Sequence, residues 1–377
     1  MKCKRVGVIG GGQLAWMMAE EAQTLGIELI VQTPNQEDPA VSRATEVIFA
    51  AIDDAEATAK LATRCDVITF ENEFINLKAL QVVARQEVSF CPSLNALSPL
   101  LDKYEQRFYL QQIGLPVPQF SAIALEENAN SLYGFPVVLK ARRHGYDGQG
   151  TFILKDHQAL AEICQRFPDA EMLMEEYIPF TKELAVMAAR NATGEVVIYP
   201  VVETYQQDQV CRWVIAPGDV SKEIQQQVQA IANTLLTKLE VVGIFGIELF
   251  LTADGRVLVN EVAPRPHNSG HYTLDACETS QFKMQLQAVT NLALASPQLK
   301  SAGAVMVNLL GYEHSENDYL KVRNELATIP NSYIHWYGKN QSRPGRKLGH
   351  VTILLQQEEL PQAKQIAKKI ESIWYQN

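Results

Sequence analysis

The sequence predicts a multidomain chain of mixed α/β and α+β architecture. Three observations support this prediction: a strand, a glycine run and a helix at the N-terminus; a glycine-rich loop between two short strands around residue 145; and a hairpin of alternating apolar residues around residue 250. With 377 residues, the chain is long enough for two or three domains of roughly 150 residues each.

Composition excludes several functional classes. The chain has 33 Lys and Arg against 43 Asp and Glu, a net charge of −10, and no basic stripe that would predict a nucleic-acid partner. No apolar run reaches the roughly 18 residues of a membrane-spanning helix, and the N-terminus lacks the pattern of a signal peptide. The six cysteines are scattered, which predicts free thiols and a cytoplasmic location.

The N-terminal domain is predicted over residues 1–100 as a βαβ unit. Residues 5–9 read as a buried strand, a helix follows up to Leu25, Gly26 ends that helix, and residues 27–31 form a second strand. Residues 67–70 and 88–91 are predicted as further strands of one parallel sheet.

A linker helix and a small α+β domain are predicted over residues 101–182. The helix covers 100–113, and the punctuating sequence Gly-Leu-Pro-Val-Pro follows it. The remaining elements are strands at 135–140, 151–154 and 171–175, and a helix at 159–167.

Longer strands and one long helix predict a third domain over 183–303 and a C-terminal subdomain over 304–377. Strands are predicted at 183–189, 195–202, 304–309 and 351–355, and a hairpin at 244–263. The long helix carries a buried stripe at 3–4 residue spacing: Ile224, Val228, Ile231, Leu235 and Leu239. An amphipathic helix with Ala363, Ile366, Ala367, Ile370 and Ile373 ends this part of the chain.

The run Gly10-Gly11-Gly12 fits the G-x-G-x-x-A pattern that follows a strand in dinucleotide-binding folds. That function also needs an acid at the end of the second strand to hold the ribose, and the sequence there is Val-Gln-Thr-Pro. We therefore favour an anion site for phosphate or carboxylate at the N-terminus of the helix, with a purely structural tight turn as the alternative.

Lys140 ends a predicted strand, and three glycines follow within residues 145–150. Such a loop can bring its backbone close to a phosphate, although no Walker sequence is present. The placement of Lys140 before the glycines favours a nucleotide lid over a mobile hairpin tip.

The hairpin at 244–263 brings two acids together. Asp254-Gly255 is a two-residue turn signal, and such a turn pairs positions whose numbers sum to 509, so that Glu248 faces Glu261. Facing carboxylates repel unless a cation lies between them. Oxygen ligands suit Mg²⁺, and Asn260 and Asn268 could add neutral oxygens. The alternative is two solvated acids.

Two polar segments complete the set of candidates. Residues 265–272 are too polar and too broken by glycine and proline for a core, which favours a ligand-binding loop over an empty one. The basic cluster Arg343-Pro-Gly-Arg346-Lys347 is either a solvated charge run or a clamp for a substrate phosphate.

Together these motifs resemble the ATP-grasp ligases, and more narrowly the carboxylating branch of their purine-biosynthetic members, over essentially the whole chain. The resemblance rests on Gly-Gly-Gly-Gln-Leu at 10–14, Phe-Glu-Asn-Glu at 70–73, Gly-Tyr-Asp-Gly at 145–148, the run from Asn260 to Thr273, and Arg-Pro-Gly-Arg-Lys-Leu-Gly-His at 343–350. It implies an ATP-grasp architecture: a parallel-sheet βαβ domain, a small lid domain, a catalytic domain and a C-terminal subdomain.

The resemblance also implies the reaction and the site. ATP would phosphorylate bicarbonate, and the resulting carboxyphosphate, or CO₂ released from it, would carboxylate the exocyclic amine of aminoimidazole ribonucleotide. A homodimer with no nucleic acid or membrane partner is implied as well. Catalytic roles would fall to Lys140, Arg265, His267, Asn268 and Lys347. ATP would contact Lys103, Lys140, Gly145, Tyr146, Asp147, Gly148, Gln149, Gly150, Thr151, Glu175, Glu176, Tyr177, Ile178, Glu183, Gln206, Asn260 and Glu261. The ribonucleotide would contact Gln13, Leu14, Glu73, Tyr146, Asp147, Arg265, His267, Asn268, Arg346 and Lys347, and Glu248 and Glu261 would hold Mg²⁺.

The sequence departs from the family pattern at Ala15-Trp16, His144, Thr151 and Gln206, and these changes bear on ATP contact. Two alternatives remain at this point. One is another ATP-grasp purine ligase, such as the formate-using glycinamide ribonucleotide transformylase. The other is a non-catalytic nucleotide-binding protein with a degenerate lid.

Overall fold

The structure, a computed structural model, describes residues 4–85, 88–123, 133–143, 150–167 and 170–376. Among these residues, no helix is both long and apolar enough to cross a membrane. The five cysteines within the described ranges are all free thiols, as predicted.

The N-terminal region is a four-stranded parallel sheet in the order β3-β2-β1-β4, with helices packed on it. Its elements are β1 Lys4–Ile9, α1 Gln13–Leu25, β2 Ile27–Thr33, β3 Glu46–Phe49, α2 Ala55–Ala62, β4 Val67–Phe70, α3 Leu77–Ala84 and α4 Leu94–Leu97. Gly26 ends α1 in the left-handed conformation, with φ of 64°. The strand predicted at 88–91 is reduced to a single parallel bridge of Phe90 with Ile68, although it lies beside β4 as predicted.

The second region begins with α5 and continues as an antiparallel sheet in the order β5-β8-β6-β7. Its elements are α5 Lys103–Gln112, β5 Phe120–Ile123, β6 Val137–Ala141, β7 Thr151–Leu154, α6 His157–Arg166 and β8 Met172–Glu176. Helix α5 starts later than predicted because Asp102 caps it, accepting the backbone N–H groups of Tyr104 and Glu105.

The rest of the chain is organised around one nine-stranded sheet in the order β14-β13-β9-β11-β12-β15-β17-β16, with β10 paired to β9. Its elements are β9 Phe180–Arg190, β10 Val196–Ile198, β11 Val202–Gln207, β12 Val210–Ala216, α7 Lys222–Lys238, β13 Gly243–Thr252, β14 Val257–Ala263, α8 Thr273–Ala276, α9 Gln281–Val289, β15 Gly303–Leu310, α10 Leu320–Ala327, β16 Ser332–Trp336, β17 Lys347–Leu355 and α11 Ala363–Tyr375. The single strand predicted at 195–202 is instead two strands, because Pro200 between them has no N–H to donate to a ladder.

The long helices pack on this sheet as their patterns predict. The stripe of α7 is buried in one core cluster with Phe245, Ile247 and Leu249 of β13. The apolar face of α11 packs with β15 and β17 in a separate cluster around Trp374, which is fully buried. The helices thus cover the sheet faces away from the residues that line the central cleft.

Candidate active site

A cleft of about 1650 Å³ lies where the three sheets approach one another. It brings together almost every site residue predicted from the sequence within the described ranges. The lining includes Gln13, Leu14, Glu73, Lys103, Lys140, Thr151, Glu175, Glu176, Tyr177, Ile178, Glu183, Gln206, Glu248, Asn260, Glu261, Arg265, His267, Asn268, Arg346 and Lys347.

Gly150 is the one predicted site residue within the described ranges that does not line this cleft. Gly150 instead uses its carbonyl to accept the backbone N–H of Ala141 at 2.7 Å. The loop residues Gly145, Tyr146, Asp147, Gly148 and Gln149, and the departure at His144, lie outside the described residues.

Glu248 and Glu261 face each other across the β13–β14 ladder, as predicted, but the route to this pairing differs from the prediction. The turn has three residues and not two, because Thr252 and Arg256 close it and Gly255 adopts φ of 80°. Beyond the turn, the residue numbers of facing pairs, such as Leu249 and Val259, sum to 508 and not to the predicted 509. A β-bulge at Asn260 then restores the register of 509 at the two acids.

The two carboxylates have opposite electrostatic surroundings. Burial and the neighbouring carboxylates of Glu261 and Glu183 raise the pKa of Glu248 to about 7. Burial also opposes ionisation of Glu261, but the ammonium groups of Lys103 and Lys140 outweigh it and lower its pKa to about 2. Lys103 donates to Glu261 Oε2 at 2.9 Å. Glu261 is therefore compensated by lysine ammonium groups, whereas burial and the carboxylates around Glu248 outweigh the attraction of Lys103 and Lys347.

This imbalance, with the donor set, fits a divalent cation. The two carboxylates present oxygen ligands at one point of the cleft wall. Asn260 lies beside them, but its Nδ2 faces Glu248 Oε2 at 3.5 Å and its Oδ1 accepts from Lys140, so the predicted neutral oxygen of Asn260 points away from Glu248. Hard cations such as Mg²⁺ prefer oxygen ligands. Glu183 lies nearby on β9, where burial raises its pKa to about 7 against a hydrogen bond from the Gln206 backbone.

A buried ion network forms the wall beside the acids. Lys140 donates to Glu175 Oε2 at 2.8 Å and to Asn260 Oδ1 at 3.0 Å. Arg107, which the sequence analysis did not single out, donates from Nε to Glu175 Oε1 at 2.6 Å. Burial opposes ionisation of Glu175, but Arg107 and Lys140 lower its pKa below the usual range. The network keeps Lys140 at the end of β6, with its ammonium facing the acids.

The polar segment after β14 forms another part of the cleft wall. Arg265 pairs with Glu73, with Nε and Oε1 2.8 Å apart. His267 Nδ1 lies 2.9 Å from Ser269 Oγ, and its Nε2 lies 3.8 Å from Glu248 Oε1. A Cβ at Gly246 would lie 2.4 Å from the Cβ of His267, so only glycine allows this close approach. His267 therefore lies beside the acid pair, and Arg265, two residues earlier in the chain, lines the same cleft.

Asn268 is held by a reciprocal pair of side-chain hydrogen bonds. Its Nδ2 donates to Asn308 Oδ1 at 2.9 Å, and Asn308 Nδ2 donates to its Oδ1 at 2.7 Å. Both side chains are nearly fully buried. Asn308 lies in a strand predicted as core, so no local sequence signal marked it.

The basic cluster of the C-terminal region reaches the cleft. Arg343, Arg346 and Lys347 all line it, which favours the phosphate clamp over a solvated run. A further cation, Lys339, also lines the cleft; its Nζ donates to Gln13 Oε1 at 2.6 Å and to the Lys347 carbonyl at 2.8 Å. Lys339 was missed because it stands alone in a polar turn, outside the cluster.

The predicted anion site at the N-terminus of α1 is filled by this chain's own carboxylate. Glu71 accepts the backbone N–H groups of Gly12 at 2.5 Å, Leu14 at 2.9 Å and Ala15 at 3.3 Å. A Cβ at Gly12 would lie 2.6 Å from Glu71 Oε1, which explains the glycine. The signal was present in the sequence: Glu71 directly follows β4, which pairs in parallel with β1, so both ends meet at one edge of the sheet.

Three family models match successive parts of the chain. They describe a ribonucleotide synthetase preATP-grasp domain at residues 3–99, an ATP-grasp domain at 108–282, and a phosphoribosylaminoimidazole carboxylase C-terminal domain at 304–364.

Similarity to characterised proteins extends over nearly the full chain. The N5-carboxyaminoimidazole ribonucleotide synthase of Synechocystis sp. is 53% identical over 386 residues, covering 99% of each chain. The carboxyaminoimidazole ribonucleotide synthase of Aspergillus clavatus complexed with ATP superposes with a TM-score of 0.92 at 31% identity, covering 99% of both chains. The complex of that enzyme with ADP and 5-aminoimidazole ribonucleotide gives a TM-score of 0.91 at 31% identity, covering 100% of this chain and 99% of the other.

Proposed function

The chain belongs to the N5-carboxyaminoimidazole ribonucleotide synthase family of ATP-grasp ligases, and from this premise we propose how its cleft performs the ATP-dependent carboxylation of 5-aminoimidazole ribonucleotide in purine biosynthesis. The observation that carries the proposal is that one cleft holds two charged groups of side chains. The acid pair Glu248 and Glu261 lies with Lys103 and Lys140, and the basic cluster of Arg346 and Lys347 lines the same cleft.

ATP binds between the small antiparallel sheet and the β13–β14 hairpin. Lys140 is nearly fully buried and presents a point charge to phosphate oxygens. Glu175 and Glu176 end β8, and Tyr177 and Ile178 follow it; all four line the cleft, where this segment can meet the nucleoside. Glu248 and Glu261 would hold Mg²⁺, which neutralises charge on the phosphates when bound.

The ribonucleotide binds at the basic cluster that lines the cleft. Arg346 and Lys347, with Lys339 beside them, offer charge-assisted hydrogen bonds to the 5′-phosphate. Arg265 and Glu73, already paired, orient the base-bearing side near His267. The two ligands therefore approach each other at His267 and Asn268.

The reaction proceeds in two transfers. A bicarbonate oxygen attacks the γ-phosphorus of ATP, and ADP leaves, which forms carboxyphosphate. The exocyclic amine then attacks the carboxyl carbon, and phosphate leaves with the electron pair of its C–O bond and takes up the proton that the amine loses. His267 and Asn268 lie where the intermediate passes between the sites and are held by Ser269 and Asn308, so they can position it without reorganisation. Enclosure in the cleft protects carboxyphosphate from water.

We further propose a homodimer in the cytoplasm, without nucleic-acid or membrane partners, as the resemblance and the charge pattern suggest. The four-part division at residues 1–100, 101–182, 183–303 and 304–377 is likewise a proposal. Size-exclusion chromatography with light scattering measures the oligomeric state, and a monomer at micromolar concentration contradicts the dimer.

ADP release measured with all substrates present tests the function. We expect release only when ATP, aminoimidazole ribonucleotide and bicarbonate are present together, with a ¹³C carbamate signal formed from labelled bicarbonate. Formate with glycinamide ribonucleotide is the control pair of substrates. ADP release with that pair, or none with the first set from folded protein, contradicts the proposal.

A further inference from the structure

Glu261 of the acid pair lies on an edge strand, and a helix occupies the position that a further strand would take. Strand β14 ends the nine-stranded sheet. The Gln106 side chain of α5 accepts the Val262 N–H at 2.8 Å and donates to the Val262 carbonyl at 3.0 Å. Gln106 thereby bonds β14 as a paired strand would.

Arg107, one residue along α5, binds the bulge itself. Its side chain is 3% exposed. One terminal nitrogen donates to the Val259 carbonyl at 2.6 Å and the other to the Asn260 carbonyl at 2.7 Å. Successive carbonyls of a regular strand point to opposite edges, so both can reach one guanidinium only where the strand is bulged.

The bulge decides which face Glu261 occupies. Val257 and Val259 point into the core, and after the extra residue Asn260 the next core residue is Val262. Without the bulge, the register set by the three-residue turn would continue along the ladder. Glu248 would then face Asn260, and the Glu261 side chain would point toward the core, on the same face as Val259. A slip of one residue moves every side chain to the other face.

We propose that Arg107 is a positioning residue for the phosphoryl-transfer site. By holding both carbonyls of the bulge it places Glu261 opposite Glu248, and by holding Glu175 it joins this pair to Lys140. The role requires the planar fork of arginine, since the single ammonium of lysine cannot bind three acceptors in this plane. The inference rests on the proposed function, because it assumes that the acid pair serves a metal.

Calorimetric titration of ADP, with Mg²⁺ and with a chelator, tests this role. The readout is the ratio of the two affinities, which isolates the contribution of the metal from that of the nucleotide. Arg107→Lys should reduce this ratio about 10- to 100-fold, the range found when residues that orient metal ligands are changed. The control is Arg212→Lys, which alters a half-buried Arg212–Glu371 pair away from the bulge and should leave the ratio unchanged.

The outcomes separate the two levels of the inference. If the ADP affinity of the wild-type protein does not depend on Mg²⁺, the metal site of the proposed function is contradicted. Arg107 then cannot position residues for a metal. A folded Arg107→Lys protein with the wild-type ratio overturns the positioning role alone. If Arg107→Lys does not fold, a double variant with Arg107→Gln and Glu175→Gln replaces both charged partners of this buried pair with neutral side chains. Its reference is the single variant Glu175→Gln. The double variant should show the same loss, and an unchanged ratio overturns the inference.

Discussion

Glu248→Gln should stabilise the metal-free protein, and the effect should grow with pH. The folded-state pKa of Glu248 is raised to about 7, whereas an unfolded glutamate titrates near about 4.3. The folded state therefore binds this proton more tightly. The stability associated with it is fully present below about pH 4.3 and is lost as pH rises through about 7. Glutamine does not titrate, so the variant escapes this loss.

The magnitude follows from the two pKa values. Between pH 5 and pH 8 the wild-type protein loses about 2.5 kcal/mol through Glu248, which the variant keeps. At about 2.1 cal/mol/K of unfolding entropy per residue, this corresponds to about 3 °C in the melting temperature if the chain unfolds as one unit. The side chain of Glu248 is 22% exposed, so solvent screening makes this an upper estimate.

Thermal unfolding of both proteins in chelator, at pH 5 and at pH 8, measures the effect. We expect Glu248→Gln to gain melting temperature over wild type at pH 8 and little at pH 5. Glu261→Gln is the matched control, because its carboxylate is paired with Lys103 and its pKa is lowered to about 2. At pH 5 that variant should be less stable than wild type, by about 1 kcal/mol or less for a pair exposed to the cleft. Equal shifts of Glu248→Gln at both pH values would refute the reasoning.

Three further predictions concern turnover. Glu261→Gln should abolish ADP release from folded protein, because the metal pair loses a charge; near-normal release would contradict the metal assignment. Lys140→Ala should raise the Michaelis constant for ATP far more than that for the ribonucleotide, since the Lys140 ammonium faces the acid pair where the phosphates of ATP would bind. Steady-state kinetics with each substrate varied in turn measures both constants, and equal increases would contradict this assignment. Lys347→Ala should weaken apparent ribonucleotide affinity about 10- to 150-fold through a lost charge-assisted hydrogen bond; an unchanged constant in the same assay would return the basic cluster to a solvated surface.

The hairpin shows how far sequence reasoning extends. The pairing of Glu248 with Glu261 was predicted, but from a two-residue turn, and two unseen shifts cancel: the turn has one more residue, and Asn260 is bulged. The alternation of apolar residues indicates which face of a strand is buried, whereas a β-bulge depends on the groups that bind the backbone at the edge of the strand. Here that is Arg107, distant in sequence, so no local pattern could indicate it.

The N-terminal glycines show the reverse case. Their spacing predicted an anion at the start of α1, and the structure confirms a carboxylate there, but it is Glu71 of the same chain. Burial raises the pKa of Glu71, while three backbone N–H groups oppose that shift. Parallel pairing of β1 with β4 would have placed Glu71 correctly. Lys339 and Asn308 offered no comparable signal, because each acts only through partners brought together by the fold.

The nine-stranded sheet also limits how this architecture can be divided. Strands β12 and β15 form a ladder that pairs Trp213 with Val307 and Ala216 with Ala304. This ladder joins the region matched by the ATP-grasp model to the region matched by the C-terminal domain model. A chain cut at residue 303 would expose the backbone of β12 as an open edge, a template for aggregation. Any recombination between relatives would have to preserve the pairing of β12 with β15. A chimera of two relatives that is joined near residue 303 should therefore be less stable than either parent, because β12 and β15 would come from different proteins.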